Sequence, residues 1–213
     1  MSITQFFKAP PKDSLEYNIK AVFENPPTLE TERLILTKVL PEHATDMHEY
    51  YSDDDVTRYL IRPTHKTFKE TQRYINLLQK KYKSGVFNDW GLIFKENGKF
   101  IGTCGFTSFD FQNNSAEIGY VLAKDYWGKG LAAEAAKRVI QFGVEELGIQ
   151  SFCAKCINGN DASLRVMQKC GLVFEGIQKG SMFVKGQYRD VAVCRADAKT
   201  IMDKINNQTT SKG

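Results

Sequence analysis

The chain has 213 residues, with 29 Lys and Arg against 25 Asp and Glu for a net charge of +4. Hydrophobic residues make up 42% and charged residues 25%, which excludes a disordered chain, a collagen and a disulfide miniprotein and suits one domain with at most an arm. The positive surplus is small and scattered, so it gives no argument for nucleic acid, and no apolar run approaches the ~20 residues needed to cross a bilayer.

Residues 1–27 hold four of the six prolines, as Pro10-Pro11 and Pro26-Pro27, and show no sustained period. They read as a loosely packed arm with a short helix near residues 15–23. The main domain is expected over 28–205, followed by a frayed polar tail at 206–213. Residues 33–37 (Arg-Leu-Ile-Leu-Thr) read as a first strand, and Pro41 opens a helical stretch to Tyr51. Thr67-x-x-Glu70 matches a capping box. The stripe of Phe68, Ile75, Leu78 and Tyr82 after it predicts a helix ending at Gly85.

The pattern then changes to period two. Residues 90–94 and 99–109 flank Asn97-Gly98, a strong hairpin signal, and 115–122 follow as another strand. A long helix is predicted from Gly130 to Leu147, closed by Gly148. Residues 151–157 read as a strand, 160–170 as a short helix stopped by Gly171, and 172–175 and 188–195 as closing strands. This order predicts a single mixed α/β domain: a central, mostly antiparallel twisted sheet with helices on both faces.

The segment Glu117-Ile-Gly-Tyr-Val-Leu-Ala-Lys-Asp-Tyr-Trp-Gly-Lys-Gly-Leu-Ala-Ala-Glu134 carries the chemistry. A strand feeds a glycine-rich turn, and the turn feeds a helix N-terminus. Gly128 and Gly130 let the backbone curl with its N–H groups inward, where the helix dipole favours an anion such as a pyrophosphate. Ala132 and Ala133 keep the first helical turn slim. Gly128-x-Gly130-x-x-Ala133 also fits a dinucleotide fingerprint, but strand 151–157 has no acidic residue to hold a ribose. A Walker loop fails because Gly130 follows Lys129 where Ser or Thr is required.

Three segments in this order resemble the GNAT acyltransferase superfamily, in particular the branch of bacterial ribosomal-protein N-terminal (alanine/serine) acetyltransferases. They are Leu-Glu-Thr-Glu-Arg-Leu-Ile-Leu at 29–36, residues 116–135, and Asn160-Asp-Ala-Ser-Leu-Arg-Val-Met-Gln-Lys-Cys-Gly-Leu172. The resemblance runs from about residue 28 to 200 and implies a GNAT-like sheet with a splayed strand pair. It implies acetyl-coenzyme A as cosubstrate, with no metal. The pyrophosphate would lie on Trp127, Gly128, Lys129, Gly130, Leu131 and Ala132, and the pantetheine along Tyr120, Val121 and Leu122. Asn160 and Ser163 would touch the cofactor. Asp125 stands where the family usually has Gln or Arg. Met167 stands where many relatives have the tyrosine that protonates the thiolate, so Ser163 is the substitute candidate.

On this reading the chain moves acetyl to a primary amine, either a protein N-terminus (a ribosomal protein among the candidates) or a small molecule. Glu117 shares a strand face with Gly119 and Val121 and is the candidate base, and the Val121 N–H is the candidate oxyanion donor. Two other functions compete: an acyl-coenzyme A sensor that has lost catalysis, and a dinucleotide-binding oxidoreductase. Neither nucleic acid nor membrane is an expected partner, and the chain is read as a monomer or homodimer. The N-terminus shows no secretory h-region. Five cysteines, at 104, 153, 156, 170 and 194, then read as reduced thiols of a cytoplasmic protein. Cys153-x-x-Cys156 lies in a predicted strand and reads as small core residues rather than as a metal site. His43, His48 and His65 read as structural, Asp53-Asp54-Asp55 as a solvated loop, and Trp90, Phe94, Phe106 and Phe109 as core or cleft wall.

Overall fold

A computed structural model describes residues 14–85 and 89–210, with the backbone alone for 208–210. Ser14 caps α1 (Leu15–Glu24), its hydroxyl accepting from the Tyr17 N–H. Two short strands follow, β1 (Leu29–Glu30) and β2 (Leu34–Thr37). Pro41 starts a 3-10 turn (Pro41–His43) that runs into α2 (Ala44–Tyr51), and α3 (Asp54–Thr57) is a single turn. The Thr67–Glu70 box opens α4 (Phe68–Lys83) as expected, and Gly85 follows its end with φ +63°. The meander is β3 (Asp89–Phe94), β4 (Phe100–Asp110) and β5 (Ser115–Leu122). After the glycine turn come α5 (Leu131–Glu145), β6 (Ser151–Ile157) and α6 (Asp161–Lys169). A long hairpin, β7 (Val173–Val184) and β8 (Gln187–Asp197), leads into α7 (Ala198–Thr210).

All eight strands form one sheet in the order β1-β2-β3-β4-β5-β6-β8-β7. Every pairing is antiparallel except β5 with β6. That parallel pairing covers only Ser115–Glu117 against Ser151–Cys153, so the two strands part beyond Glu117 and Cys153. This is the splayed pair that the resemblance implied. One face of the sheet carries α1 and α5 over Trp90, Phe106 and Phe152, with Val139 of α5 in the same cluster. The other carries α2 and α4 over Phe100, Val39 and Val121.

Three elements differ from the sequence reading. Residues 14–27 are not loosely packed: Ile19 and Phe23 of α1 are buried, and the Phe23 ring meets Trp90 at 5.3 Å and Phe106 at 6.4 Å. Burying such a side chain contributes about 2 kcal/mol or more, which favours α1 docked on the sheet. Residues 1–13 lie outside the described residues. β7 runs to Val184 rather than Glu175. It pairs only with β8 and is mostly exposed, so it has no alternating apolar pattern to read. Of the tail expected to fray at 206–213, residues 206–210 continue α7, which buries Ile201 and Ile205 one turn apart; 211–213 lie outside the described residues. Among the described residues no helix is long and apolar enough to cross a membrane.

Candidate active site

A cavity of about 740 Å³ opens where β5 and β6 part. Its floor is β5, with Glu117, Gly119, Tyr120, Val121 and Leu122 all lining it. One end is the glycine turn at the start of α5; the other is formed by residues of α2, the segment after α3 and the start of β3. The glycine turn follows the fifth strand of an antiparallel meander, not the first strand of a βαβ unit, so the dinucleotide reading loses its structural context.

The turn has the geometry for an anion. Gly128 and Gly130 adopt φ +76° and +80°, a region L side chains rarely occupy, and Gly130 sits at the N-cap of α5. No side chain caps that helix start, which leaves its first N–H groups facing the cavity end. Leu131, Ala132 and Ala133 line the same end. Trp127 is half-exposed, and its indole N–H donates to the Leu122 carbonyl at 2.7 Å, tying the turn to the end of β5. Lys129 does not line the cavity; its ammonium lies over the Tyr126 ring at 5.2 Å. Asp125 sits in a 3-10 turn (Lys124–Tyr126) before it.

The opening motif at 29–36 proves to be the turn's support, a role the sequence reading did not assign. Glu134, on the first turns of α5, accepts from Thr31 Oγ1 at 2.6 Å, from the Arg33 backbone N–H at 2.9 Å, and from Arg33 Nε and Nη2 at 2.8 and 2.6 Å. Arg33 Nη1 also donates to the Lys129 carbonyl at 3.0 Å. Burial raises the Glu134 carboxyl, but the bonds from Thr31 and Arg33 outweigh it and hold the group below its usual range. The arginine therefore locks β2, the turn and α5 into one piece. No local sequence signal marks this pairing, because Arg33 and Glu134 lie 101 positions apart.

On β5, Ala123 N–H donates to Ile101 O of β4. Two-residue alternation then directs the Val121 N–H to β4 as well and leaves the Tyr120 and Leu122 amides on the edge that faces the parted strands. This corrects the expectation for Val121: its side chain lines the cavity, but the amide free to meet an oxyanion is that of a neighbour. The Tyr120 hydroxyl reaches across to α6, 3.0 Å from Ser163 Oγ and donating to Ser163 O at 3.0 Å. Burial pushes this phenol well up. Asn160 caps α6, its Oδ1 accepting from the Ser163 N–H at 3.1 Å. Met167 is buried and lines the cavity, so the hydroxyls near this place are those of Ser163 and Tyr120.

Glu117 faces the cavity, but both carboxylate oxygens are engaged. Thr107 Oγ1 donates to Oε1 at 2.9 Å, and Lys155 of β6 donates to Oε2 at 2.7 Å. The ion pair spans β5 and β6 just past their last pairing and pins the point where they part.

Other candidates fall outside the chemistry. His43 stacks on Phe100 at 4.6 Å and accepts from the Leu40 N–H; burial lowers its pKa. His48 and His65 both meet Thr71 Oγ1, at 2.9 and 2.8 Å. None of the three lines the cavity. Asp53 caps α3 with a bond from the Asp55 N–H, Asp54 pairs with Lys66, and Asp55 pairs with Arg58 and Lys124. Trp90, Phe94, Phe106 and Phe109 belong to the core on the opposite face, not to the cavity wall. All five cysteines are buried and unbridged, and among the described residues no group of three or more His, Cys, Asp and Glu is placed to hold a metal ion.

Residues 33–173 match the family described as an acetyltransferase (GNAT) domain. The chain is 34% identical over 164 residues to the uncharacterized N-acetyltransferase p20 of Bacillus licheniformis, covering 77% of this chain and 92% of that one. It is 30% identical over 131 residues to the ribosomal-protein-serine acetyltransferase of Escherichia coli (strain K12), covering 62% of this chain and 70% of that one. Among solved structures, an acetyltransferase (GNAT family) from Bacillus anthracis superposes with a TM-score of 0.72 at 26% identity, over 81% of this chain and 99% of that chain.

Proposed function

The chain belongs to the GNAT acetyltransferase family and is an N-acetyltransferase that uses acetyl-coenzyme A, and on that premise we propose that its acceptor is the free N-terminus of a protein or peptide. The observation that carries this reading is the opened edge of β5, which runs from the glycine turn to the far end of the cavity without a partner strand beyond Glu117. A thioester laid along that edge presents its carbonyl to whatever enters from the far end. The cavity lining includes the apolar and aromatic side chains of Tyr51, Val56, Leu60 and Ile61. The similarity to a ribosomal-protein-serine acetyltransferase supports the same acceptor class.

Each residue then has a role. The N–H groups of 128–132 and the α5 dipole hold the pyrophosphate, with Arg33 and Glu134 fixing the turn. The Tyr120 and Leu122 amides bond the pantetheine and the developing oxyanion. Ser163, with the Tyr120 hydroxyl behind it, gives a proton to the leaving sulfur. Glu117 keeps the strands apart at a fixed width through Lys155. The compartment we assign is the cytoplasm, where acceptor N-termini and reduced thiols coexist.

The test is acetyl transfer from acetyl-coenzyme A to peptides with free N-termini, to N-blocked peptides containing lysine, and to small amines, with products identified by mass spectrometry. Acetylated α-amines are expected. Acetylation confined to small amines would overturn the acceptor assignment.

A further inference from the structure

The end of the cavity away from the glycine turn contains one carboxylate that the roles above leave unused. Asp89 is the first residue of β3 and lines the cavity. Across the sheet it pairs with Gly105 of β4, which pairs with Gly119 of β5; neither glycine has a side chain, and the Thr107 methyl covers Gly119. Two residues on, Gly91 pairs with Thr103, which pairs with Val121. The Asp89 carboxylate reaches toward this row, with Thr103 Oγ1 as its one hydrogen-bond donor among the described residues, at 3.4 Å. At ~5 Å per strand, Asp89 stands roughly 10 Å from the opened edge, room for an amine and a water between them.

We propose that Asp89 receives the α-ammonium of the acceptor and takes one of its protons, and that it thereby selects free N-termini over lysine side chains. This rests on the acetyl-transfer reading above and names the acceptor-side group for it.

The surroundings fit a cation that arrives from outside. α2 presents the phenols of Tyr50 and Tyr51, and α4 those of Tyr74 and Tyr82. Tyr82 is engaged with the Asp89 backbone carbonyl, at 2.7 Å, and Tyr51 with Tyr74. The Tyr50 hydroxyl is buried and has no partner among the described residues. The positive charges acting on Asp89 are Lys81 of α4 and Arg62, whose guanidinium is parked over the Tyr74 ring at 4.4 Å rather than on the carboxylate. From β4 come Thr103 and the buried Cys104, a thiol that burial keeps protonated. Burial pushes the Asp89 carboxyl up to about 6. A base there can accept from an α-ammonium, whose usual pKa is about 8, far more readily than from a lysine at about 10.4.

The step balances as follows. The α-ammonium gives one proton to Asp89 and becomes an amine. Its lone pair forms the C–N bond at the thioester carbonyl carbon, and the electrons of the C–S bond leave with sulfur. The remaining surplus proton on nitrogen ends on that sulfur, and Asp89 returns its own proton to water.

The experiment compares wild type with Asp89→Asn and Asp89→Glu, using lysine-free tetrapeptides with free N-termini and N-acetylated tetrapeptides bearing one lysine. Turnover is followed from pH 5 to 9. Peptide binding is read separately by calorimetry on protein loaded with coenzyme A. The expected result is a roughly 100-fold loss of kcat/KM for free N-termini in Asp89→Asn. The acidic limb of the profile is also lost, peptide binding weakens, and affinity for acetyl-coenzyme A is unchanged. Asp89→Glu should recover part of both. If Asp89→Asn folds, binds acetyl-coenzyme A and acetylates free N-termini at the wild-type rate and pH profile, this inference is overturned and the acetyl-transfer reading stands. If wild type binds acetyl-coenzyme A but neither binds nor acetylates any peptide, this inference and the N-terminal acceptor assignment are both overturned.

Discussion

Two carboxylates, Asp89 in the cavity lining and Glu134 behind the glycine turn outside it, are treated in opposite ways. Glu134 at the glycine-turn end accepts four hydrogen bonds from Thr31 and Arg33, and its pKa falls. Asp89 at the far end has one long bond from Thr103, and burial raises its pKa to about 6. A carboxylate that the fold satisfies completely is a structural part. A carboxylate left short of donors in a cavity is a candidate to take its missing donor from a ligand, as proposed for Asp89. The difference extends to the whole of each end. On the proposed reading the glycine-turn end binds through main-chain N–H groups held by the Arg33–Glu134 clamp, and the far end through side chains of α2, the segment after α3 and β3.

The largest predicted effect breaks the main-chain end. Gly130→Val forces a β-branched residue to φ +80°, beside the Arg33 guanidinium 3.7 Å from where its Cβ would lie. Strain of this kind costs on the order of 1–3 kcal/mol, so acetyl-coenzyme A should bind about 10- to 100-fold more weakly by calorimetry. Arg33→Ala comes next. It strips Glu134 of two side-chain donors and frees the Lys129 carbonyl. A loss of about 2 kcal/mol in unfolding free energy is expected by denaturant titration, with weaker acetyl-coenzyme A binding.

Stability against pH separates the two carboxylates by sign. The Asp89 folded-state pKa lies above its unfolded value of 3.8, so the folded state holds the proton longer. Stability is then greatest below 3.8 and declines as pH rises through the window from 3.8 to about 6. Asp89→Asn removes this decline and should raise the melting temperature at pH 7 relative to pH 4; the ceiling is about 3 kcal/mol. Glu134 runs the other way. Its stabilisation is full above 4.5 and is lost as pH falls through its lower folded value, so Arg33→Ala should flatten the acid side of the wild-type curve.

The smallest effect sharpens the comparison. Glu117→Gln keeps the bond from Thr107 and weakens the pin to Lys155 without removing the base assigned here. Its kcat should fall by less than tenfold, with the pH profile kept. A larger fall with loss of the acidic limb would return the base to Glu117.

The same contrast explains what the sequence made legible. The glycine turn, β5 and α6 are continuous segments whose backbone geometry depends on residue types at fixed spacing. Gly128, Gly130 and Asn160 could therefore be read in place, along with the sheet, while the splayed pair came from the family resemblance. The Arg33–Glu134 clamp joins residues a hundred positions apart, and nothing local marks Arg33 as its partner. The far end is harder still. Tyr51, Tyr74 and Asp89 belong to three elements, and Asp89 sits at a strand's first residue, where a polar side chain ordinarily marks a turn. Glu117 was legible as a cavity residue but not as an ion-paired one, because Lys155 approaches from a strand that lines up with β5 only at its beginning. α7 and the length of β7 were missed for a common reason: each buries too few apolar residues to leave a period.

The most direct test of this division is one calorimetric series, titrating acetyl-coenzyme A into wild type, Gly130→Val and Asp89→Asn under the same salt and pH. The account predicts wild-type affinity in Asp89→Asn and a loss of about 10-fold or more in Gly130→Val. Equal weakening in both variants, or wild-type affinity in Gly130→Val, would contradict it.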